Sequence, residues 1–133
     1  MRDANLAPFP GALDAVREFR ARGVRLALLT NGGAEAQRAK VERFGLDGLF
    51  DTVLIEGELG VGKPERQVFE LALERLGASP GDAWMVGDNL EADVGGAQSA
   101  GIHAIWHDFD RSGLPDSSGI RPDRIVHSLG ELL

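Results

Sequence analysis

The sequence of 133 residues contains no cysteine. Disulfides and thiolate chemistry are thereby excluded, and the absence fits a reducing compartment. No apolar run approaches the roughly 18 residues that a membrane-spanning helix needs. The opening residues, Met1-Arg2-Asp3-Ala4-Asn5-Leu6, lack the apolar centre of a secretion signal, so a cytoplasmic location is expected. Basic residues are the minority, 14 Lys and Arg against 21 Asp and Glu, for a net charge of −7. A surface of that sign disfavours nucleic acid and anionic membranes as partners, although one local cation can still bind a phosphate. Internal repeats and low-complexity runs are also missing.

What is present is ordinary globular composition, 43% hydrophobic and 26% charged. The length suits one domain with one core, spanning residues 1–133. Apolar runs and helical periodicity alternate along it. Residues 11–22 read as a helix with Leu13, Val16 and Phe19 on its apolar face, together with Ala12 and Ala15, closed by Gly23. Residues 24–29 read as a buried parallel strand and 34–44 as a helix. Residues 52–55 read as a short strand. Residues 66–76 form a helix with Val68, Phe69, Leu71, Ala72, Leu73 and Leu76 as its apolar set. Strands follow at 83–86, 102–106 and 125–126, and a helical turn at 129–133. This alternation predicts an α/β fold: a Rossmann-like parallel sheet with helices on both faces, in three layers.

Three stretches carry candidate chemistry. Thr30-Asn31-Gly32-Gly33 follows a strand and leads into a helix, where free backbone N–H groups favour an anion. Thr, Asn and Gly are equally good capping and turn residues. Gly57 to Lys63 matches G-x-x-x-x-G-K, but Pro64 stands where a nucleotide-binding loop needs a hydroxyl. That leaves Lys63 as a single cation ahead of a helix, with Pro64 expected at the helix's first position. Finally, Gly87-Asp88-Asn89 ends a strand, and Asp93 follows near the first turn of a helix that stops at Gly101. Two carboxylates at the carboxyl end of a parallel strand suit a hard cation, and they also suit simple capping.

Taken together, Leu28-Leu29-Thr30-Asn31-Gly32, Gly62-Lys63-Pro64 and Gly87-Asp88-Asn89 with Asp93 resemble the haloacid dehalogenase-like superfamily of hydrolases, above all its small-molecule phosphatases. Phe9-Pro10-Gly11 matches as well. The resemblance implies a Mg²⁺-dependent phosphatase on a doubly wound sheet, acting on small phosphate monoesters. It gives Thr30, Asn31 and Gly32 to the phosphoryl group. Lys63 neutralises its charge, Asp88 binds Mg²⁺, and Asp93 supports the metal site.

The sequence departs from that family in two respects. The D-x-D-x-T strand that supplies the attacking aspartate has no counterpart, and no cap segment is present. The expected core therefore lacks its first strand, whose place is between the strands ending at Thr30 and Asp88. Direct pairing of those two strands, a second copy filling the slot as a homodimer, or a longer product would each repair the sheet. Asp108-Phe109-Asp110-Arg111-Ser112 imitates the motif after a strand, so Asp108 and Asp110 are candidate replacements. The rival expectation is a non-catalytic phosphate- or metal-binding module.

Overall fold

The computed structural model describes residues 12–133. Among the described residues, five helices and five strands follow in the order α1 (Ala12–Ala21), β1 (Ala27–Thr30), α2 (Ala34–Arg43), β2 (Thr52–Ile55), α3 (Glu56–Leu59), α4 (Arg66–Leu76), β3 (Trp84–Gly87), α5 (Gly96–Ser99), β4 (His103–His107) and β5 (Arg124–Val126); the short α3 is the one the sequence reading does not expect. A wider π-helical turn, Leu90–Gly95, runs directly into α5. The segment 1–11, which carries Phe9-Pro10-Gly11, lies outside the described residues.

All pairing is parallel, but the strands form two sheets rather than one. β1 pairs with β2, and β3, β4 and β5 pair in that order. β1 and β3 do not pair with each other, so direct pairing is not the repair that the fold adopts. A cavity of about 740 Å³ lies between them, lined by Ala27, Leu28 and Leu29 of β1 and by Trp84, Met85 and Val86 of β3.

The helix layers hold the halves together. Strand side chains alternate between faces. Leu29 and Leu54 accordingly point to one core, with Phe69, Leu73, Val94, Ala104 and Trp106, so the layer of α4 and α5 spans both sheets. Leu28 and Ile55 point to the other, with Val41 and Leu46. Phe69 and Leu54 are each 1% exposed. Burial of such a side chain contributes roughly 1.5–3 kcal/mol.

Each sheet has its own register lock. Asp51 donates its N–H to the Leu26 carbonyl, and its carboxylate accepts the Leu26 N–H, both at 2.7 Å. Asp123 repeats this on Ala104, both bonds at 2.8 Å. These hydrogen bonds hold both carboxyls below the ordinary carboxylate range.

Several element limits shift by a residue, among them β3 and β4, and two larger differences bear on the site. The first strand starts at Ala27 because the β2 ladder begins at Thr52; Val24 is 44% exposed. Helix α4 starts at Arg66 with Glu65 as its cap, so Pro64 precedes the helix instead of opening it, and the Lys63–Pro64 bond is cis. Among the described residues, no helix is long and apolar enough to cross a membrane.

Candidate active site

The site lies at the carboxyl ends of β1 and β3, either side of the slot. Thr30 is the last residue of β1 and is buried. Its hydroxyl donates to Gln37 Oε1 of α2 at 3.1 Å. Asn31 follows and reaches across to the loop before α4. Its Nδ2 donates to the Lys63 carbonyl at 2.8 Å, and its Oδ1 accepts the Lys63 N–H at 3.0 Å.

Gly32 adopts φ +128°, a conformation that L side chains rarely take. Its N–H is engaged: Glu56 Oε1 accepts it at 3.0 Å. A carboxylate of the chain itself therefore rests where the sequence led us to expect an incoming anion. The Gly32 carbonyl accepts the Gly57 N–H at 2.9 Å, which ties this turn to α3.

Lys63 runs inward from its loop. Its ammonium is 2.7 Å from Asp93 Oδ1, with 3% and 2% of the two side chains exposed. The contact is ionic: Asp93 Oδ1 is a buried oxygen that makes no directed hydrogen bond. Asp93 Oδ2 accepts the Asn89 N–H at 3.1 Å. Asn89 in turn caps the π-helical turn, accepting the Ala92 N–H at 2.8 Å. Gly87 leaves room for all this, because a Cβ there would fall 2.2 Å from Asp93 Oδ2. Asp88 is partly exposed beyond the end of β3, and its carbonyl accepts Trp106 Nε1 at 3.0 Å.

The fold thus joins Asn31, Lys63 and Asp93 into one chain of contacts from β1 to β3. Thr30, Gly32 and Asp88 stand at its two ends. The slot cavity reaches Lys63. Two residues that sequence reasoning missed, Gln37 and Glu56, hold the Thr30–Gly32 turn; Gln37 is buried at 7%, a polar side chain in an α2 otherwise rich in charge. The Asp108 imitation has a different task. Its Oδ1 accepts Ser112 N–H and Oγ–H at 3.0 and 3.2 Å, and its Oδ2 accepts the Gly113 N–H at 2.9 Å. It folds the loop after β4.

The partly exposed carboxylate of Asp88 is an oxygen donor of the kind a hard cation takes, whereas both oxygens of Asp93 are already engaged, Oδ1 with the Lys63 ammonium and Oδ2 with the Asn89 N–H. Among the described residues, no three His, Asp or Glu side chains converge on one point.

Comparison with known proteins bears on the fold and the family. The phosphoserine phosphatase of Thermus thermophilus is 44% identical over 124 residues, which is 93% of this chain and 49% of that protein. The solved HAD phosphatase of Thermococcus onnurineus superposes with a TM-score of 0.82 at 33% identity, covering 93% of this chain and 55% of that one. The Bacillus subtilis HAD-hydrolase YfnB, bound to magnesium, gives 0.84 at 28% identity over 93% and 54%. The chain spans about half the length of the relatives that it matches. Residues 2–101 fit the profile of the haloacid dehalogenase-like hydrolases. On these matches the chain belongs to the haloacid dehalogenase-like hydrolase family.

Proposed function

We propose that this chain is the phosphate- and metal-facing part of a Mg²⁺-dependent phosphatase for small phosphate monoesters, working in the cytoplasm. The observation that carries the reading is the buried Lys63–Asp93 pair, which places a cation and a carboxylate at 2.7 Å between the ends of β1 and β3. The phosphatase named among the relatives and the magnesium-bound hydrolase of similar fold support it.

Phosphoryl transfer needs positioning and charge neutralisation more than covalent help. The Thr30 hydroxyl, donated to Gln37 in the structure, would turn to the phosphoryl oxygens. Lys63 offsets their negative charge. Gly32 contributes its N–H once Glu56 gives way. Asp88, supported by Asp93, would hold Mg²⁺, which when bound offsets charge on the phosphoryl oxygens. The attacking oxygen is that of water or of a group brought in by whatever fills the slot. The open edges of β1 and β3 favour a second copy of the chain as that occupant, giving a homodimer.

The test is hydrolysis of an aryl phosphate by the purified chain, with and without Mg²⁺, beside Asp88→Ala. Mg²⁺-dependent turnover that the variant loses is the expected result. Phosphate binding without turnover would replace this reading with that of a binding module.

A further inference from the structure

Lys63 belongs to no helix or strand. It sits between α3 and α4, so no ladder sets where its backbone lies. A side chain does so instead. The Asn31 amide offers one donor and one acceptor to the Lys63 backbone, at 2.8 and 3.0 Å, as a neighbouring strand residue would. The fit is close: a Cβ at Gly62 would come within 2.7 Å of Asn31 Oδ1 and 2.8 Å of Glu56 Oε2. The far end of Lys63 is held by Asp93 at 2.7 Å. Lys63 is thereby fixed at both ends, its backbone to the β1 side of the slot and its ammonium to the β3 side.

We infer that Asn31 is a positioning residue: its amide fixes the Lys63 backbone so that the ammonium stands at the anion site, and its side chain is not itself an anion ligand. The inference rests on the reading of Lys63 as the cation that faces phosphate. Displacing a charge by about an ångström is enough to weaken such a site strongly. Asn31 therefore acts on the anion through Lys63.

The sequence makes this measurable, because it has only two lysines, Lys40 and Lys63. Reductive methylation followed by mass spectrometry reads the two separately, with the more exposed Lys40 as internal reference. In the unaltered chain, Lys63 reacts slowly, being 7% exposed. In Asn31→Ala its rate relative to Lys40 should rise at least tenfold, with the circular dichroism spectrum unchanged. If that variant does not fold, Asn31→Asp, of equal size, keeps the acceptor and loses the donor, and the same rise is expected.

Binding of inorganic phosphate by calorimetry supplies the second arm. Asn31→Ala should lose as much affinity as Lys63→Ala, and the double variant should lose no more than Lys63→Ala alone. Losses that multiply in the double variant would make Asn31 a direct ligand and overturn the inference, as would unchanged labelling of Lys63. If the unaltered chain binds no phosphate, the phosphatase reading fails, while the labelling arm still decides the role of Asn31.

Discussion

Lys63 and Asp93 meet at 2.7 Å across the gap between the two sheets, and water reaches almost none of either side chain. A buried pair of this kind is a weak source of net stability, but removing one partner strands the other charge. Asp93→Asn should therefore lower the unfolding free energy by about 3–5 kcal/mol. Replacing both residues, as Lys63→Met with Asp93→Leu, should recover most of that loss, because no charge is then left buried. Urea unfolding of the three variants measures it. A loss below about 1 kcal/mol in Asp93→Asn would mean that the pair is solvated.

His107 predicts a pH dependence. Burial at the end of β4 holds its imidazole below the ordinary value of 6.5, with the charges of Asp88 and Glu131 pulling the other way. On acidification the unfolded chain takes up the proton before the folded one does. Stability is therefore full above about 6.5 and falls as pH drops below that, until the folded imidazole titrates too. Thermal unfolding between pH 7 and 5 should show the melting temperature falling, and His107→Asn should flatten the slope. The shifted carboxyls titrate below this window, so they do not mask it.

Asp108 separates loop folding from chemistry. Its two oxygens are spent on Ser112 and Gly113. Asp108→Asn should cost about 1–2 kcal/mol in stability, the usual range for a buried acceptor set reduced by one. Phosphate affinity and any Mg²⁺-dependent turnover should stay at the level of the unaltered chain. Abolished turnover with a small stability change would instead make Asp108 the missing nucleophile.

The slot predicts an exchange pattern. In a parallel ladder, alternate amides of one strand point to opposite neighbours. Among the described residues, no strand pairs with the slot-facing edges of β1 and β3, toward which every second amide points. Hydrogen exchange at low protein concentration should show fast and slow amides alternating along both strands. At high concentration a second copy should slow the fast set, with light scattering giving twice the monomer mass. A clean monomer throughout, with the alternation intact, would rule out filling by a second copy.

Much of this was legible in the sequence, and the failures are instructive. Thr52–Ile55 and Arg66–Leu76 match their expected limits because turn residues bracket each pattern. The first strand was drawn too long because hydrophobicity marks where a chain is apolar, not where a ladder partner exists. An apolar run closed by Gly87 marks where Asp88 and Asp93 stand, at the carboxyl end of β3 and in the turn that follows. Glu56 and Gln37 carry no such mark, because their partners lie 24 and 7 residues away and no local pattern announces such bonds. Asn31 was found as a polar group beside an anion site, yet its hydrogen bonds run to Lys63, 32 residues on. The family pattern leads us to expect a missing strand; the fold shows that, among the described residues, β1 and β3 are not joined and the strands form two sheets instead of one.

Asp51 and Asp123 do more than end their ladders. Each pins its own sheet at the amino end of the strands, β1 to β2 and β4 to β5, and neither bond crosses the slot. Alignment within a half therefore does not depend on what lies between the halves. Of the two strands that face the slot, β1 is therefore indexed directly by Asp51, while Asp123 sets β4 against β5 one strand behind β3, whose alignment rests on its own ladder with β4.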